Sequence, residues 1–140
     1  MLDGPREQHL ALGTARIARD FFRHDPPTAL EIEQAIDFVE DQLMRLDPQR
    51  DTDIALRSRS EALQPWAAIV GRTLAIETVE SWFERLSLAA QGQTSELDGL
   101  PQGRAAAATL LVLREFMHHR GHRSTTIVEP HATIVSQAHR

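Results

Sequence analysis

From Ala105 to Met117 nearly every position is apolar and a good helix former, so the pattern predicts a helix buried on most of its circumference. The basic turn His118, His119, Arg120 and then Gly121 mark its end, because cations suit a helix C-terminus and glycine tolerates the left-handed residue that closes it. The period then changes. Thr125, Thr126, Ile127 and Val128 form a β-branched run that reads as a short buried strand. Helix, glycine and strand in succession are the grammar of a layered α/β domain.

The rest of the chain supplies further elements in order. Residues 8–13, Gln-His-Leu-Ala-Leu-Gly, alternate weakly and predict a short edge strand. Thr14 can cap a helix over 14–24 whose inward face carries Ile17, Ala18, Phe21 and Phe22, and Pro26-Pro27 ends it. Thr28 followed by Glu31 is a capping box. It opens an amphipathic helix with Ile32, Ala35 or Ile36, Val39, Leu43 and Leu46 inward. Its acidic residues Glu31, Glu33, Asp37, Glu40 and Asp41 are expected on the solvent side ahead of Arg45.

Periodicity disappears between Asp47 and Gln64, which predicts a connection. The apolar run Trp66 to Val70, closed by Gly71, reads as a buried strand, although its length alone does not separate strand from helix. A helix over about 73–91 follows, anchored by Ala75, Val79, Trp82, Phe83, Leu86 and Ala90 and stopped by Gly92. Gln93 to Gln102 is a second polar connection. After Val128 the tail Glu129 to Arg140 offers only Ile134 and Val135 as anchors. The expectation is a single α/β domain over 1–140 with about four helices on a small sheet, and the alternative is an all-α bundle in which the three strands are mistaken.

Composition narrows the class. An apolar fraction of 41% in 140 residues supports one real core. The longest apolar run is about ten residues, far below a membrane span. The start Met1, Leu2, Asp3, Gly4, Pro5 lacks the basic and apolar stretches of a signal peptide, and there is no cysteine. A cytoplasmic protein without disulfides or thiolate chemistry is expected. The net charge of -5 gives no general attraction to nucleic acid or anionic membrane. All fifteen basic residues are arginine. Arginine is the better fork for phosphate, and a genome-wide codon bias explains the same count.

Few side chains nominate chemistry. His118 and His122 are four apart, but Gly121 separates them and no acidic third ligand has suitable spacing, so no metal site is expected. No Gly-x-Ser-x-Gly elbow nominates a serine. Val70-Gly71-Arg72-Thr73 is read as a turn between strand and helix, where free N–H groups can hold a phosphate, with Arg72 either clamping the anion or standing as a surface residue.

Three stretches carry a family resemblance: Phe21-Phe22-Arg23-His24-Asp25-Pro26-Pro27-Thr28-Ala29-Leu30-Glu31, Gly99-Leu100-Pro101 leading to Arg104-Ala105, and Leu113-Arg114-Glu115-Phe116-Met117 followed by the strand at 126–128. With these, about residues 8–130 resemble the second domain of the exopolyphosphatase / guanosine pentaphosphate phosphatase family. The resemblance implies half of an actin-like ATPase, an RNase H-like α/β layer, and magnesium-dependent hydrolysis of polyphosphate or guanosine pentaphosphate. Several expected features differ. The family's first domain with its catalytic glutamate and the Gly-Gly-Gly-Ser-Thr-Glu stretch expected before residue 8 are missing. Gly71-Arg72-Thr73 aligns with the family's Gly-Gly-Thr loop, with arginine at the second glycine. Glu129-Pro130-His131-Ala132-Thr133 replaces the terminal glycine-leucine-arginine-glutamate-glycine pattern.

The resulting expectation is a non-catalytic domain without a cofactor that binds a protein partner, a second copy or a phosphorylated small molecule. Gly71, Arg72, Thr73 and Arg104 are its candidate phosphate-binding residues. A lone half of a two-domain fold would expose a face that pairs, for which Trp66, Trp82 and Phe83 are candidates against a plain core role. The alternative is a hydrolase that requires magnesium, with a general base from another chain.

Overall fold

A computed structural model describes residues 14–45, 56–58 and 63–127. The expected strand at 8–13, the anchor Leu46, Val128 and the tail 129–140 lie outside the described residues. Helical geometry begins at Thr14 and becomes π-helical over Ile17–Phe21. It ends before 24: Phe22 leaves the helix, donates its N–H to Ile17 O at 2.8 Å, and is buried.

Helix α1 (Ala29–Met44) starts as the capping box dictates. The Glu31 N–H donates to Thr28 Oγ1 at 3.1 Å, and the Thr28 N–H donates to Glu31 Oε1 at 3.1 Å. Ile32, Ala35, Val39 and Leu43 are buried, and Ile36 packs at the edge of the core. Glu31 departs from the solvent face expected of it, being only 9% exposed. Its carboxylate is folded back onto the backbone N–H groups it caps, which removes it from water.

Strand β1 (Leu56–Ser58) interrupts the segment expected to be a plain connection. Helix α2 (Gln64–Val70) corrects the strand expected over 66–70. The physical reason is periodicity across the edge of the apolar run. Leu63, Trp66 and Ala67 are buried at helical spacing while Ala68, Ile69 and Val70 are exposed, whereas a strand would bury alternate residues. Pro65 sits in the first turn, where its missing N–H costs nothing.

Strand β2 (Thr73–Ala75) occupies the expected start of the next helix, and helix α3 (Ile76–Ala90) follows directly. Arg85 of α3 fastens the following connection, donating from Nε to Glu96 O at 2.7 Å and from Nη2 to Asp98 O at 2.8 Å around a 3-10 turn at Thr94–Leu97. Helix α4 (Arg104–Arg120) is the central helix, with Ala107, Ala108, Leu110, Leu111, Leu113, Phe116 and Met117 buried. It packs against α1, α3 and the π-helical turn. Gly121, in the left-handed conformation (φ 72°), donates to His118 O, and His122 donates to Met117 O at 2.9 Å, which together form a Schellman cap.

Strand β3 (Ser124–Ile127) is the middle strand of a three-stranded sheet in the order β1-β3-β2. It runs parallel to β1, with Leu56 opposite Thr125, and antiparallel to β2, with Leu74 opposite Thr125. The expected helix-rich α/β layer is therefore present, and the sheet excludes the all-helical alternative. Trp66, Trp82 and Phe83 lie in the core and not on an exposed face. The two tryptophan rings are 4.9 Å apart. No helix among the described residues is long and apolar enough to cross a membrane.

Candidate functional site

Gly71, Arg72 and Thr73 form an exposed turn between α2 and β2. Gly71 has φ 113° and donates its N–H to Ala67 O at 2.7 Å, closing α2. A Cβ on Gly71 would meet no atom within 4 Å, so glycine is needed here for its backbone conformation and not for space. The turn was expected to lead from strand to helix. It leads from helix to strand, and Thr73 pairs with Thr126. No helix N-terminus points at an anion from these three residues.

The helix start near the candidate residues belongs to Arg104, the first residue of α4. Gly103 precedes it with φ 106° and supplies no side-chain cap, and Ala107 N–H is the donor that returns to Gly103 O at 3.1 Å. The first N–H groups of α4 thus precede the intrahelical ladder, which gives that end a partial positive charge. Arg104 is exposed, with Nη1 3.4 Å from Phe22 O. It belongs to the opening of α4, whereas Thr73 is on a strand paired to the residues that follow the helix's other end. Arg104 and the Gly71–Thr73 turn are therefore separate elements of the candidate site.

Among the described residues no group of three or more potential ligands is placed to hold a metal ion. Gly121 turns the chain between His118 and His122. His118 pairs with Glu80, and His122 stacks on Phe116 at 6.1 Å.

Sequence reasoning passed over a second cluster. Arg114 lies 4.3 Å over the Phe83 ring, with Nε 3.0 Å from Glu80 Oε1 and Nη1 2.5 Å from Glu115 Oε2. Glu115 is 5% exposed. Burial, then the nearby Glu40 carboxyl, pushes its pKa up to about 7 against the pull of Arg114. The available signal was one adjacent pair of charges inside an apolar helix.

Together these features define a helix-rich α/β layer with an exposed glycine turn and an arginine at the start of its central helix. The Ppx/GppA phosphatase family model matches residues 8–129, and the chain belongs to that family. Solved structures agree on the fold. The Aquifex aeolicus PPX-GPPA enzyme matches with a TM-score of 0.60 at 13% identity, over 83% of this chain and 43% of that one. Another Aquifex aeolicus Ppx/GppA family structure matches with a TM-score of 0.63 at 16% identity, over 89% of this chain and 46% of that one. This chain thus spans less than half the length of these structures. No curated protein matches it.

Proposed function

We propose that this chain is a binding domain of the Ppx/GppA phosphatase family, taking a phosphorylated small molecule or a protein partner, and that it does not itself hydrolyse phosphoanhydrides. The observation that carries this reading is the Gly71-Arg72-Thr73 turn. By resemblance it occupies the family's Gly-Gly-Thr position, yet it joins a helix to a strand and places an arginine where close backbone approach to phosphate calls for glycine. A side chain there can hold an anion by charge but obstructs the backbone cradle. Arg104 and the first turn of α4 supply the second phosphate-binding element, combining a guanidinium with helix N–H groups. We place the protein in the cytoplasm and include a second copy among its partners, for which exposed Ile69 and Val70 on α2 offer an apolar contact.

Phosphate release from polyphosphate and from guanosine pentaphosphate, each with magnesium, tests the reading directly. Release no greater than from a heat-denatured control is expected, and turnover above it overturns the non-catalytic assignment. Calorimetric titration with polyphosphate tests the site. Arg104→Ala is expected to weaken binding about tenfold, the scale of one charge-assisted hydrogen bond.

Family membership also favours the hydrolase reading. That reading requires magnesium-dependent release that Arg72→Ala abolishes.

A further inference from the structure

Helix α4 begins without a side-chain cap. Gly103 stands at its N-cap, and the intrahelical ladder starts only at Ala107, whose N–H returns to Gly103 O at 3.1 Å. The N–H groups of Arg104, Ala105 and Ala106 precede that ladder and look for acceptors outside the helix. Gly103 and Ala107 also line a small cavity of about 10 Å³, together with Pro26, Pro27 and Pro101.

Trp66 lines the same cavity. It is 2% exposed, and its Nε1 is buried with no hydrogen-bond partner among the described residues. An indole N–H can only donate. Apart from Asp25 the rest of the lining is proline, leucine, alanine and glycine, so Trp66 brings its one side-chain donor. A buried donor without an acceptor is costly, and an oxygen that enters the cavity removes that cost.

Arg104 adds charge at the same place. Its Nη1 is 3.4 Å from Phe22 O, at the head of the loop whose two prolines line the cavity. The segment that carries Leu97 and Pro101 is held in position. Gln102 Nε2 donates to Leu97 O and Leu100 O, each at 2.8 Å, and Arg85 Nη2 donates to Asp98 O. A fixed space of this size takes about one oxygen atom and excludes a nucleobase.

We propose that the start of α4, Arg104 and the Trp66 indole form one subsite for a terminal, unesterified phosphoryl group; this rests on the reading of Arg104 as a phosphate-binding residue. The helix N–H groups and the guanidinium hold the phosphoryl oxygens that remain outside, and one oxygen enters the cavity to accept from Trp66. Asp25 is exposed, so water screens its carboxylate from the bound anion. The ligand class follows from the size of the cavity. Inorganic phosphate and the end of a polyphosphate or nucleotide chain are bound alike, since nothing beyond the terminal group enters.

Nitrogen-15 NMR of the full chain, titrated with inorganic phosphate, reads the Trp66 indole N–H directly, and through-bond assignment separates it from Trp82. The Trp66 resonance is expected to move downfield and saturate, while guanosine and sodium chloride at matched ionic strength leave it in place. Trp66→Phe removes the donor and is expected to weaken phosphate binding about tenfold, the scale of one charge-assisted hydrogen bond. Polyphosphate binding that depends on Arg104, with a Trp66 resonance unmoved by phosphate, overturns the subsite and leaves the Arg104 reading standing. Absence of binding by phosphate and polyphosphate alike overturns both. A shift that guanosine or chloride reproduces, or wild-type affinity in a folded Trp66→Phe, also overturns the subsite. The resonance decides the outcome even if Trp66→Phe fails to fold.

Discussion

Glu31 holds several donors at the start of α1. It accepts from the Thr28 and Arg23 backbone N–H groups, and its Oε2 is 2.8 Å from His24 Nδ1. Burial alone would raise its pKa, but the His24 ring and backbone hydrogen bonds together hold it below the ordinary 4.5. The unfolded chain therefore binds that proton more readily than the folded one. The resulting stability is present above 4.5 and is lost as pH falls through the lower folded value. Urea denaturation at pH 7 and pH 3 should show this loss in wild type and a smaller one in Glu31→Gln, while Glu31→Ala should cost about 1–3 kcal/mol at pH 7 by leaving donors unpaired.

Trp66 presents the opposite balance. Its indole is 2% exposed, and Nε1 has no hydrogen-bond partner among the described residues. Thermal unfolding should place Trp66→Phe within about 1 kcal/mol of wild type, because the lost donor offsets lost area. Trp66→Ala should cost about 3–5 kcal/mol through the cavity it leaves.

At the level of elements, local chemistry was legible wherever a few neighbouring residues decide the outcome. Thr28 and Glu31 announce α1, and Gly121 announces the end of α4. Gly121→Ala should lower stability by about 1 kcal/mol in thermal denaturation, since alanine strains the left-handed cap although its Cβ would meet nothing. Helix α2 is hidden in the sequence because the apolar run begins at Trp66, while the residue that completes the helical stripe, Leu63, lies beyond Pro65 and Gln64. Strands β1 and β2 have three residues each and exist through their pairing with β3. No local pattern could reveal a partner so distant. The candidate site divides in the same way. Arg72 and Arg104 were visible as residues, whereas the contacts of Arg114 with Glu80 and the Phe83 ring depend on how α3 packs against α4.

For the molecule as a whole, α4 joins what the sheet and the outer helices contribute, and its buried leucines set the stability scale. Leu111 is fully buried. Leu111→Ala should cost about 2–5 kcal/mol in denaturant unfolding, more than any exposed substitution in the Gly71–Thr73 turn. That contrast allows binding and stability to be separated, because variants of Arg72 and Arg104 can lose ligand while retaining the fold.

Strand β3 is the middle strand, yet it is also the last described element to be synthesised. Leu56 meets Thr125 about 70 residues later, a distance that makes the pairing slow to find. On the ribosome, β1 and β2 emerge with both edges open and remain so for several seconds, at roughly 5–20 residues per second, until β3 arrives. A nascent chain arrested before Ser124 can pack its helices but has no sheet to close them. This leaves a defined interval in which chaperones or neighbouring nascent chains can occupy the two waiting edges.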